Sequence, residues 1–412
     1  MLWQWVFWLS LAGTLVIGAI LFRDLGDISQ SFIRVKRENI LRAIRQERRL
    51  MAIGLGLALL MALCHLTYDA GSGWTFWSAA ALVTLFYGFP YVWIHIGLRN
   101  QQGTASYYSI DKARNFINPS TSMLVIENNG EAAAHSDYDL SRPHLASSAR
   151  GLGGEKRLIM TYCALANLGL GFKAEMDGRP IDLDVLAQHG NNLVMRDKQT
   201  REPIQHIFGQ RVCDLSANSH GRPDRHSTCE RQGMPLWPTF RMSFRAFEKA
   251  YPNGRVFLNK PVSNPFLRLL DAGIDSIFAV LLGRHARENT PVIDNMTHYD
   301  DRLPNKTYIW GIALNGDAVA YTEDFVFEQD NVINVTIGGR AVVIAYDSKL
   351  ESLGAWYNDS GQSVTRIDFN GRSDRGRLMR IEALRPGMFW HVWVEFFPAT
   401  DINRLDKVSW QT

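Results

Sequence analysis

LWQWVFWLSLAGTLVIGAILF, residues 2–22, contains no ionisable side chain, and Gln4 is its most polar residue. As a helix rising about 1.5 Å per residue it is long enough to cross ~30 Å of hydrocarbon. A cleavable export signal starts with positive charge and ends at small residues, whereas this stretch starts uncharged and ends at Phe22-Arg23-Asp24. It is expected to remain as a membrane span. Two further apolar stretches follow at 51–68 (MAIGLGLALLMALCHLTY) and 74–98 (WTFWSAAALVTLFYGFPYVWIHIGL), with Trp74, Trp77, Tyr91 and Trp93 placed as interfacial aromatics. Asp69-Ala-Gly-Ser-Gly73 links them as a helical hairpin, and Pro90 is a kink site. His65 and His95 lie near segment ends, where snorkelling to the interface is expected.

Between the first two stretches, residues 23–50 carry Arg23, Arg34, Lys36, Arg37, Arg42, Arg45, Arg48 and Arg49 against Asp24, Asp27, Glu38 and Glu47. Cytoplasmic loops are enriched in lysine and arginine, so the loop is expected inside and, after three crossings, so is everything from residue 99 on. Ile33, Ile40, Leu41 and Ile44 recur at helical spacing. The loop therefore reads either as an amphipathic helix laying Arg34, Lys36, Arg37, Arg42, Arg45, Arg48 and Arg49 on anionic lipid, or as a solvated connector.

The 412 residues leave room for one or two domains beyond this block, and the net charge of +3 argues against a nucleic-acid partner, which would need a concentrated basic face. Four cysteines are too few for a disulfide scaffold. Residues 101–119 are polar and read as a linker. Beyond them alternation of period two takes over. Residues 123–127, Asn129-Gly130 and 131–135 form one strand, turn, strand pattern, and Asp177-Gly178 marks a second between 168–176 and 180–186; 192–196 is a further short strand.

An internal repeat organises this region. Asn129-Gly-Glu-Ala-Ala-Ala-His135 matches Asn315-Gly-Asp-Ala-Val-Ala-Tyr321, and Gly153-Gly154 followed by Tyr162 matches Gly338-Gly339 followed by Tyr346. Aromatic stretches running into Pro252 and Pro398 close the two copies, each with room for a short helix. The expected fold class is N-terminal transmembrane α-helices followed by a mainly-β soluble region of two pseudo-repeated lobes with short helices. The expected organisation is a membrane block at 1–100, a linker at 101–119, a first lobe at 120–260, a helical insertion at 261–300 and a second lobe at 301–412.

Two places carry candidate chemistry. Cys213, His220, His226 and Cys229 fall within one polar stretch, and two thiolates with two imidazoles suit zinc. A Cys213 to Cys229 disulfide or a plain surface loop fits the spacing as well. Cys163 ends a strand expected to be buried, as a candidate thiol or an inert core residue, with His135, His144, His189 and His206 as conceivable neighbours. The chain has no GxxxxGK[ST], HExxH or GxSxG motif.

In order, N-G-E-A-A-A at 129–134, Gly153-Gly154 followed by Thr161-Tyr-Cys163, D-G-R at 177–179 and the closing aromatic segment resemble the bacterial family catalogued as domain of unknown function 3179, over roughly residues 120–400. The resemblance implies architecture and little mechanism. Members often carry N-terminal membrane segments or a signal, which implies an extracytoplasmic domain, against the charge bias. They commonly continue T-Y-C-x-x-C, a redox-active or metal-binding dithiol, whereas this chain reads Thr161-Tyr-Cys-Ala-Leu-Ala166. One thiol cannot cycle through such a disulfide. The expectation is an inner-membrane protein acting as a non-catalytic binding or accessory module, with the bilayer and a membrane-protein partner. The alternative is a zinc-binding or thiol-redox protein using Cys163 or the Cys213/His220/His226/Cys229 loop.

Overall fold

The computed structural model describes residues 1–212, 233–260, 264–291, 293, 295–329 and 332–405. Three helices, Leu2–Leu25, Arg37–Tyr68 and Gly73–Gly97, are long and apolar enough to cross a membrane. Small residues let them approach closely. Tyr87 of the third helix lies against Gly18 of the first and Gly54 of the second, where a Cβ would come within 2.6 Å and 1.9 Å of its side chain. Its hydroxyl donates to the Thr14 carbonyl at 2.7 Å, and Thr14 Oγ1 donates to the Gly54 carbonyl at 3.1 Å. Glycine contacts of this kind hold helices together where lipid removes the hydrophobic drive. Leu9, Val16, Leu59, Leu63, Leu66, Trp74 and Trp77 point outward.

The second helix has 32 residues where about 20 span the hydrocarbon. Its first turns belong to what was expected to be a loop at 23–50. Ile40, Leu41 and Ile44 do form an apolar face, but they are buried with Leu186, Val194 and Val212 of the soluble region. The reading of that face as lying on lipid is thus replaced by docking on protein. The stretch 101–119 also differs from expectation. It is built into the first lobe, because Tyr107–Ser109 pairs antiparallel with Arg255–Phe257.

The soluble region is β-rich. In the first lobe the hairpin Ser122–Asn128 and Glu131–Ser136 gains Thr239–Ser243, antiparallel to its first strand, and Arg255–Phe257, parallel to its second. In the second lobe Tyr308–Leu314 and Asp317–Tyr321 gain Leu384–Phe389 and Asp401–Asn403 in the same senses. A second sheet in each lobe is built on another hairpin, Leu158–Cys163 with Leu168–Lys173 and Arg340–Asp347 with Ser352–Tyr357. Short helices Phe244–Ala250 and Trp390–Phe396 occupy the two aromatic segments. The Asp177-Gly178 turn joins Glu175–Met176 to Arg179–Pro180 alone, while Leu168–Lys173 and Leu183–His189 lie in different sheets.

The lobes are fused. Trp390, Val392, Trp393 and Phe396 lie in one core with Ile159, Leu170 and Ile204 of the first lobe. Arg385 Nη2 donates to the Ile207 carbonyl at 2.9 Å, and Asn167 Nδ2 to the Gly387 carbonyl at 2.7 Å. The helix Pro265–Arg287 is fastened by Arg142, which is 4% exposed and donates to the carboxylates of Asp271 and Asp275 and, at 2.7 Å, to the Gly97 carbonyl of the third membrane helix.

Asn-Gly and Gly-Gly turns meet in each lobe. Asn129 Nδ2 donates to the Gly153 carbonyl at 2.9 Å, and Asn315 Nδ2 to the Gly338 carbonyl at 2.8 Å. At φ +55 in both places, a Cβ would sit 2.1 Å from the Asn128 carbonyl oxygen at Gly153 and 2.2 Å from that of Leu314 at Gly338. The following glycines, Gly154 and Gly339, have nothing within 4 Å. Gly153→Ala and Gly338→Ala are therefore expected to lower the thermal midpoint of the full-length protein in detergent by roughly 3–10 °C more than Gly154→Ala and Gly339→Ala, which share the positive φ but not the collision.

Candidate functional site

The site begins with the junction between the membrane block and the first lobe. Glu47 lies on the same helical stripe as Ile40 and Ile44 and is carried with them into the protein. Its carboxylate accepts from Arg196 Nη1 at 2.6 Å and Arg201 Nη2 at 3.0 Å, and lies 2.8 Å from His95 Nε2. Arg196 is 2% exposed and also reaches Asp184 at 3.2 Å. His95 is thus held by a carboxylate where snorkelling was expected. Of the basic residues, Arg45 pairs with Glu202 at 3.0 Å and donates to the Val212 carbonyl, and Arg34 donates to the Met296 carbonyl at 2.5 Å. Arg37 is half-buried, while Lys36, Arg42, Arg48 and Arg49 remain exposed.

Beside this junction, a cavity of about 60 Å³ lies where the third membrane helix and the helix Pro265–Arg287 cover the first lobe. Trp93 and Phe278 stack over it at 4.9 Å. Leu165, Leu193, Leu281 and Ile293 add apolar wall, and Ser31, Cys163, His144 and Gln188 supply the polar part. Cys163 ends the strand Leu158–Cys163, is 3% exposed, and its Sγ lies 3.5 Å from the Asn191 carbonyl. Asn191 holds the tight turn at φ 53 and donates from Nδ2 to the Ile293 carbonyl at 3.0 Å. His144 is 5% exposed, and its Nδ1 has no partner among the described residues. Burial, with the Arg142 guanidinium beside it, pushes its pKa down to about 4.

The other expected neighbours divide. His206 contacts Thr161 Oγ1 at 2.8 Å and Asn192 Nδ2 at 3.3 Å behind the same strand, and burial and Arg385 push its pKa down to about 3. His189 follows Gln188 on the opposite face of its strand, and burial and Arg37 likewise push it down to about 3. His135 sits apart, 2.7 Å from the Tyr107 hydroxyl. Cys213, His220, His226 and Cys229 lie outside the described residues. Among the described residues no group of three His, Cys, Asp or Glu side chains is arranged to hold a metal.

Sequence reading passed over Glu47, Arg196 and Arg142. A signal existed for the first, since a carboxylate seven residues after Ile40 and three after Ile44 sits on an apolar stripe and demands a buried partner. Its arginine partners, Arg196 and Arg201, 149 and 154 residues away, carried none.

His144, His189 and His206 share one sign of pH dependence. Their folded pKa values lie below the ordinary 6.5, so as pH falls from 6.5 the unfolded chain takes up protons that the folded chain refuses. Stability is therefore full above about pH 6.5 and is lost toward pH 4. His206→Gln should flatten the fall in unfolding free energy over this range by up to about 1.4 kcal/mol per pH unit, read from melts at successive pH values.

No curated protein and no solved structure matches the chain. The family described as "Protein of unknown function (DUF3179)" matches residues 103–400, from just before the first lobe's edge strand Tyr107–Ser109 to Thr400, which accepts the Trp393 indole hydrogen bond. With that match covering most of its length and both β lobes, the chain belongs to the DUF3179 family.

Proposed function

We propose that this protein is a membrane-anchored binding module that serves as an accessory subunit of a membrane assembly, and that its ligand site is the cavity roofed by Trp93 and Phe278. The carrying observation is that this cavity draws its walls from the third membrane helix, the Pro265–Arg287 helix and the first lobe together. Anything that fills it therefore couples the membrane block to the lobe. Its small volume suits the end of a slender apolar group rather than a whole polar substrate. His144, with a pKa near 4, is a weak base at neutral pH, which favours binding over proton transfer.

The topology follows the same contacts. The contacts of residues 37–47 with the first lobe support a placement of both on one face of the membrane, which three crossings would give. The positive-inside rule makes that face cytoplasmic. The matching order of four strands in the first sheet of each lobe, together with their matched Asn-Gly and Gly-Gly turns, supports descent from one duplicated unit.

A thiol-based reading has one observation in its favour, the shared placement of Cys163 and the unpartnered His144 Nδ1 on the cavity wall. A reactive thiolate, however, is normally stabilised by an adjacent positive group, and this wall is mostly apolar.

Full-length protein taken from its own membranes into mild detergent should carry a co-purifying apolar molecule of reproducible mass by native mass spectrometry. Ala164→Phe, at a position on the cavity wall, should reduce its occupancy severalfold while Cys163→Ser leaves it in place. A wild-type protein without such a molecule would count against the binding reading, and a function lost in Cys163→Ser with binding intact would favour the thiol.

A further inference from the structure

Gln188 faces the apolar cavity, and its neighbour His189 faces a second pocket of about 410 Å³ at the start of the Arg37–Tyr68 helix. This volume is within the range of small-molecule sites. Three independent features converge there. The first is the helix N-terminus itself. Lys36 is the N-cap of a 32-residue helix and makes no side-chain cap, and first-turn amides have no acceptor within a helix, so partial positive charge faces the pocket. The second is the lining. Arg34, Lys36 and Arg37 contribute cationic groups, with Thr297 and Asn295 beside them. Glu38 is the opposing carboxylate on the wall. Glu395, nearby, already accepts from the Thr297 and His298 amides at 2.8 Å each. The third is His189, which is 4% exposed and lines the pocket; its Nδ1 is sealed inside the protein, and its Nε2 is the ring nitrogen left to meet a ligand. A polar ring atom on a pocket wall without a protein partner is met by water or by a ligand, and an anion that accepts from it gains a hydrogen bond.

We propose that this pocket binds an oxyanion of the phosphate type, held by the helix N-terminus, Arg34, Lys36 and Arg37, with the His189 ring donating from Nε2. Helix N-termini combined with basic side chains are suited to such groups. A phosphate can come from a soluble compound or from a lipid headgroup. The apolar part of the helix starts at Met51, fifteen residues beyond Lys36, or about 20 Å along an upright axis. The headgroup layer is only several ångströms deep, so a soluble phosphate is the expected source.

The test uses full-length protein in an uncharged detergent. Inorganic phosphate is titrated by calorimetry at fixed ionic strength in chloride, and a short-chain phosphatidylglycerol is titrated in parallel. Saturable one-to-one phosphate binding is expected, weakened about tenfold or more by Lys36→Gln and by His189→Asn. Lys36 is exposed, so Lys36→Gln should keep the wild-type melting temperature in chloride and tests the pocket even where the buried substitution disturbs folding. Tighter binding of the short-chain lipid than of phosphate, with the same sensitivity to Lys36→Gln, would keep the site and assign the headgroup as its source. Failure of both ligands to bind, or binding that Lys36→Gln leaves unchanged, would overturn the proposal.

Discussion

A carboxylate at the end of a membrane helix, taken out of water, must find positive charge or remain protonated. Glu47 finds Arg196 and Arg201 of the first lobe and His95 of the third membrane helix. Much of the architecture follows from that constraint. The helix cannot stop at the membrane surface, because its first turns carry apolar residues that pack against the first lobe. The sheet of Leu183–His189 and Asn192–Asp197 must lie beneath the membrane block, because it presents Arg196. The third helix must end beside the second, because His95 shares the carboxylate. Breaking a buried pair by removing one partner costs roughly 3–5 kcal/mol, so the arrangement is specified even if the pair adds little net stability over apolar packing.

Both cavities lie along this junction. The apolar one forms where the third membrane helix and the Pro265–Arg287 helix meet the lobe, and Arg142 holds those two elements together through Gly97, Asp271 and Asp275. The basic one forms where the second helix begins. Adjacent residues of one strand, Gln188 and His189, face one cavity each, so events in either are a single strand apart.

Much of the fold was legible because its signals are local. Three apolar stretches of membrane length and the Asn129-Gly130 turn between 123–127 and 131–135 are properties of neighbouring residues, and the helices and that hairpin stand where those patterns put them. The Asp177-Gly178 turn, by contrast, joins only two-residue strands, because 168–173 and 183–189 go to different sheets. The site was legible only in part. Cys163 and His144 were nameable as candidates, but their approach depends on a strand end and a chain segment brought together by the sheet, and no spacing encodes that. The destination of the apolar face of 37–47 was not legible, because an amphipathic helix looks alike whether that face meets lipid or protein. What separates the two is Glu47, which would be costly against lipid and is satisfied against Arg196. The stretch 101–119 reads as a linker because its strand of three residues is too short to show alternation.

The most direct measurement is a double-mutant cycle of Glu47→Gln and Arg196→Gln in the full-length protein, read by amide hydrogen exchange as the opening free energy of the strand Asn192–Asp197. If the junction holds the lobe to the membrane block, each single substitution should lower that free energy by about 3 kcal/mol and the pair should couple by more than about 1 kcal/mol. Singles that add to within about 0.5 kcal/mol, with the strand as protected as in the wild type, would contradict it.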